Sequence, residues 1–77
     1  MDLATGIVAR VIAIDEASGS QLAAHGVHVG TLVSVENDAP FGGPRIVRLG
    51  QARLALARRI ARTIHVQIEI DEDGTPR

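Results

Sequence analysis

Apolar and polar residues alternate in short runs along most of the chain, which is the two-residue period of half-buried strands. Over residues 31–36, Val33 and Val35 share one face while Ser34 and Glu36 take the other. Over residues 65–70, Val66, Ile68 and Ile70 are expected inward, with His65, Gln67 and Glu69 outward. Residues 45–49 form a third strand with Val47 and Leu49 on one face, and after a turn at Gly50 residues 53–56 form a fourth. Residues 7–14 are β-branched and bounded by Gly6 and Asp15, but Arg10 shares strand parity with Ile12 and Ile14. A bulge near Ile12 resolves the conflict, because one extra residue lets Val11 and Ile14 both face inward.

Two stretches have helical rather than strand spacing. Ser18-Gly19-Ser20 offers an N-cap, and residues 21–25 fit one or two turns stopped by Gly26. A helix this short is unstable alone, so Leu22 must dock on the sheet. Leu56, Ile60 and Ile64 follow an i, i+4, i+8 spacing, predicting a one-faced helix over residues 57–64 that presents Arg58, Arg59 and Arg62 to solvent. Val27 and Val29 lead into a turn at Gly30, there is no internal repeat, and the acidic residues 71–77, with Gly74 and Pro76, are expected to be disordered. About five short strands, one or two short helices and an aliphatic core predict a mainly β protein. Closing the sheet removes exposed edges, so a small SH3-like β-barrel over residues 1–70 is the first expectation and an OB-like barrel the second.

Composition narrows the chemistry. At 77 residues with no cysteine, one domain must hold together without disulfides or thiolate metal sites. No charged n-region or apolar h-region opens the chain, because Asp2 sits where positive charge belongs. Residues 17–35 carry no formal charge, but Gln21, His25, His28, three glycines and three serines argue against a membrane span. A soluble, cytoplasmic protein that is not membrane-inserted is expected. Net charge is −1, yet the charges are sorted: Arg45, Arg48, Arg53, Arg58, Arg59 and Arg62 lie together with no acidic residue among them, and lysine is absent. Such sorting predicts a positive surface facing an acidic partner or the protein's own acidic tail.

The run Ala39-Pro40-Phe41-Gly42-Gly43-Pro44 holds the only aromatic residue and two of the three prolines, between two predicted strands. Proline fixes φ and glycine permits positive φ, so the chain turns here in a prescribed way. Phe41 either folds back as a plug on the barrel or stands out as a contact. Nothing in the chain supports catalysis: it has no Ser/His/Asp order, no Gly-rich phosphate loop before a helix and no carboxylate pair in a plausible cleft. His25 and His28 are weak metal candidates for Fe²⁺ or Zn²⁺, with His65 as a distant third ligand. Gly26 interrupts the helix between them, and a half-buried His25 packing in an aliphatic position is the preferred reading. Nucleic acid is not an expected partner, because one phenylalanine cannot supply a stacking track and the net charge is negative.

Three elements occur in an order similar to the ferrous iron transport protein A (FeoA) family. Leu22 with Gly26-Val27 and Gly30 resembles its L-x-x-(L)-G-(L)-x-x-G pattern, and Ala39-Pro40-Phe41-Gly42-Gly43-Pro44 resembles its A-P-(L/F)-G-(D/G)-P turn. Leu54-Ala55-Leu56-Ala57-Arg58, followed by Ala61, Ile64 and Val66, resembles its L-A-L-R helix and last strand. The chain departs from the pattern at His25, usually apolar, at Val29, commonly proline, and in the basic helix, where glutamates are common. The resemblance implies an SH3-like barrel and a non-enzymatic, cytoplasmic accessory protein of ferrous iron uptake. Its implied partner is a membrane permease that carries a GTPase domain, and no cofactor is implied. The docking face expected from this reading combines Pro40, Phe41, Gly42 and Gly43 with Arg58, Arg59 and Arg62. The alternative is a stand-alone regulatory or metal-binding module, since similar barrels form the C-terminal domain of iron-dependent repressors.

Overall fold

The computed structural model describes residues 1–76. Five strands form one antiparallel sheet in the order β4-β3-β2-β1-β5, with β1 at Val8–Ile14, β2 at Leu32–Asp38, β3 at Arg45–Leu49, β4 at Ala52–Leu56 and β5 at Ile64–Ile68. A 3₁₀ turn at Glu16–Ser18 and helix α1, Gly19–Ala24, connect β1 to β2, and the single turn α2, Arg58–Ala61, connects β4 to β5. Every strand contributes to one core, through Ala9, Val11, Val33, Val35, Val47, Leu56 and Ile64. The mainly β barrel-like fold is the expected one.

The bulge forms where the parity conflict predicts it. Pairing of β1 with β5 shifts register between Val11 and Ala13, so Ile12 is the extra residue and stays exposed while Ala9 and Val11 are buried. A second bulge, between Val35 and Asn37 in the β2–β3 ladder, lets β2 run on to Asp38, past the strand end expected at Glu36. Leu22 is buried and docks α1, which contributes about 1.5–3 kcal/mol of burial to a helix too short to persist alone. Ser18 holds the N-cap position but makes no side-chain capping bond.

Two expectations are corrected. The helix over residues 57–64 shrinks to α2 because Ile64 is recruited into β5 and buried there, so the i, i+8 spacing was set by two different elements. Ile68 and Ile70, expected inward, are exposed, because β5 is an edge strand whose C-terminal end runs past the core. Residues 71–76 turn back sharply, with Asp71 N–H donating to the Thr75 carbonyl at 2.8 Å and Ile70 bridging Pro76. Arg77 lies outside the described residues.

The N-terminal arm carries part of the core that the alternation did not mark. Met1 and Leu3 are buried, and Thr5 bridges Val35 in parallel as Gly6 N–H donates to the Val35 carbonyl at 2.9 Å. Arg45 ties the arm to β3, donating from Nη1 to the Met1 carbonyl at 3.0 Å and from Nη2 to the Leu3 carbonyl at 2.6 Å. The Met1 nitrogen donates to the Ala61 carbonyl, which ties the arm to α2 as well.

Candidate partner-binding face

The turn between β2 and β3 is built from its ends inward. Asp38 and Arg45 face each other as the last ladder pair, and Arg45 Nε donates to Asp38 Oδ1 at 2.7 Å. That hydrogen bond, helped by the Arg45 and Arg58 charges, holds the Asp38 carboxyl below the usual carboxylate range. Ala39 N–H then donates to the Pro44 carbonyl at 2.9 Å, and Gly43 N–H closes a tighter turn on the Pro40 carbonyl at 3.2 Å. The two central residues, Phe41 and Gly42, have φ of 61° and 73°, the double positive φ of a type I′ turn. Gly43 has no room for a side chain, because a Cβ there would lie 2.8 Å from that of Ala39.

Phe41 therefore has left-handed backbone, which costs an ordinary L-residue about 1–2 kcal/mol. It recovers nothing by packing, since its exposure is 104% of the reference value. Of the two uses left open by the sequence, the barrel plug is excluded. Phe41 is thus a strained, fully solvated aromatic on a braced turn.

Arg58 supplies the brace. Its Nε donates to the Gly43 carbonyl at 3.0 Å, and Nη2 lies 3.8 Å from Asp38 Oδ1. The structure thus brings Pro40, Phe41, Gly42, Gly43 and Arg58 together, with Arg58 part of the scaffold and not a free surface charge. Arg62 lies elsewhere, lining a cleft of about 460 Å³ with Met1, Asp2, Ile64, His65 and Val66. Arg59 and Arg62 are exposed and make no ion pair among the described residues.

The continuous positive surface is largely neutralised in space. Glu36, put on the outer face at the β2 bulge, pairs with Arg48 at 3.1 Å and Arg53 at 2.8 Å. Asp38 takes Arg45 and Arg58, and Glu69 takes Arg10 at 2.6 Å. Charges segregated along the chain are interleaved across strands, because antiparallel pairing sets β2 beside β3. Glu36, Asp38 and Arg45 were missed as organisers of this face. The Asp38–Arg45 pairing across a Pro-Gly turn is the one signal that would have found two of them.

The histidines are scattered. His25, expected half-buried, is exposed at the C-terminal end of α1, and His28 is exposed beyond it. His65 Nε2 lies 2.8 Å from Asp15 Oδ1. Among the described residues no three His, Cys, Asp or Glu side chains gather where they could hold a metal ion.

The chain is thus a five-stranded SH3-like barrel whose most distinctive feature is an exposed, braced aromatic turn. Residues 1–68 match the FeoA domain model, and the chain belongs to the FeoA family. No curated protein sequence matches it significantly. Among solved structures it is similar to iron(II) transport protein A from Clostridium thermocellum, with 26% identity and a TM-score of 0.77 over 86% of this chain and 42% of that one. It is also similar to a FeoA-like protein from Clostridium acetobutylicum, with 25% identity and a TM-score of 0.80 over 92% and 85% of the two chains. A crystal structure described as an iron uptake regulatory protein (FeoA) gives 26% identity and a TM-score of 0.73, over 86% and 88%. The chain thus spans less than half of the first of these proteins and most of the other two.

Proposed function

We propose that this protein is an accessory factor of ferrous iron uptake. It acts by contact with the cytoplasmic face of a membrane permease that carries a GTPase domain, without carrying iron or catalysing a reaction itself. Family membership supports the link to iron transport, and no helix among the described residues is long and apolar enough to cross a membrane. The observation that carries the reading is Phe41, held out to solvent on strained backbone by Arg58 and the Asp38–Arg45 pair. Apolar residues fully exposed at the tip of a rigid turn are suited to insertion in a pocket on a partner, since no ordering cost is incurred on binding.

The test is retention of this chain by the detergent-solubilised permease. Phe41→Ala is expected to lower retention at least about tenfold, the scale of an aromatic anchor, while the circular dichroism spectrum stays native. Undiminished retention by the folded variant would remove the turn from the interface.

A further inference from the structure

The open edge of β5 is the remaining unexplained feature. Val11 exchanges backbone hydrogen bonds with the β2 side, accepting from Gly30 at 2.7 Å and donating to Thr31 at 2.9 Å, while Glu69 N–H donates to Val8 at 3.0 Å. Antiparallel ladders alternate, so Gln67 and Glu69 turn their N–H and C=O groups toward β1, and Ile64, Val66 and Ile68 turn theirs away. Among the described residues nothing pairs with Val66 or Ile68 on that side. β5 itself carries no proline, lysine, arginine or bulge, the residues and irregularity that commonly blunt an edge. Ile68 and Ile70, beside it, are 44% and 59% exposed.

The charge pattern identifies the occupant. Immediately before β5 stand Arg59 and Arg62, exposed and without ion pairs among the described residues, and immediately after it come Glu69, Asp71, Glu72 and Asp73. A strand that is basic at one end and acidic at the other is complementary to itself when antiparallel. We propose that the chain forms a twofold homodimer by antiparallel pairing of β5 with β5 of a second copy, centred on Val66. Val66 then pairs with its own counterpart, Ile64 stands opposite Ile68 of the second copy, and His65 opposite Gln67. Such pairing is isologous and closes the sheet edge without leaving a new one. Ile68 of the second copy falls beside Ile64, at the mouth of the cleft that Met1, Arg62 and Val66 line. Arg59 and Arg62 of each copy run along the acidic segment of the other. The Phe41 turn takes no part, so the dimer stands independently of the permease reading.

Sedimentation velocity across low micromolar to near-millimolar protein reads the equilibrium, and amide exchange reads the edge. The expected result is a concentration-dependent dimer that weakens with salt, with Val66 and Ile68 amides gaining protection as it forms. Ile68→Lys, at an exposed position, is expected to abolish it. Arg59→Glu with Arg62→Glu raises the dissociation constant at least about tenfold, a change of about 1.4 kcal/mol. Mixing that chain with a Glu72→Arg, Asp73→Arg chain restores association as a heterodimer. A native chain that stays monomeric throughout overturns the proposal. So does a dimer indifferent to Ile68→Lys, or one whose charge-reversed chains fail to complement.

Discussion

Replacing Phe41 with asparagine isolates the cost of the turn from everything else in the fold. The phenyl ring is fully exposed, so its removal forfeits no burial. The backbone at φ 61° is where asparagine is several-fold enriched, and Asn-Gly is the preferred central pair of a type I′ turn. Of the roughly 1–2 kcal/mol that left-handed geometry costs an L-residue, asparagine should return about half. In a domain of this size each kcal/mol moves Tm by about 4–8 °C, so Phe41→Asn is expected to raise Tm by about 2–8 °C. The chain has no Trp or Tyr, which makes differential scanning calorimetry the suitable assay. Phe41→Gly relieves the same strain but adds about 0.5–1 kcal/mol of unfolded-state freedom, and should fall between the two. Phe41→Val, β-branched in a left-handed position, should lie below native. A Phe41→Asn protein that melts lower than native would mean the ring packs on the barrel, and the recognition argument would fail with it. The companion expectation is opposite in sign: the more stable variant binds the permease less well, which is the usual trade between stability and function.

Two further predictions concern the brace beneath the turn. Arg45→Met removes the donors to the Met1 and Leu3 carbonyls and the Asp38 pairing at once. It should lower unfolding free energy by about 2–4 kcal/mol in urea titration, with Arg45→Lys recovering only part, because an ammonium cannot reproduce the guanidinium fork. Asp38 supplies the pH dependence. Its folded pKa is depressed, by the Arg45 hydrogen bond first, so its contribution is complete above the unfolded value of about 3.9. That contribution is lost as pH falls through the folded value. Asp38→Asn should therefore flatten the acid limb of the stability–pH curve below about pH 4, and a limb unchanged by the substitution would place the acid sensitivity elsewhere.

The legible features were those set by near neighbours in the chain. Arg10, Ile12 and Ile14 conflict in parity within one strand, and the bulge at Ile12 follows from that conflict alone. Leu22 between Ser18 and Gly26 was enough to place α1, and the double proline with Phe41 and a glycine pair was enough to mark the turn as special. Features involving two distant segments were not legible. Ile64 matched a helix by spacing and a strand by neighbourhood, and only the partner Ile14 on β1 decided between them. Ile68 and Ile70 alternate like core residues but lie at a sheet edge, which alternation cannot detect. Met1 and Leu3 show no period, because an arm pinned by Arg45 from β3 is buried without belonging to a strand run.

By itself, the sequence settled the small aliphatic barrel, its bulge at Ile12 and the place of its one prescribed turn, because propensity, parity and turn geometry act over a few residues. Tertiary structure alone decided which way Phe41 points, which arginines are neutralised by Glu36 and Asp38, and which strands lie at the sheet edges. Those outcomes depend on which strands become neighbours, and in an antiparallel sheet neighbours in space are set by register, not by order along the chain.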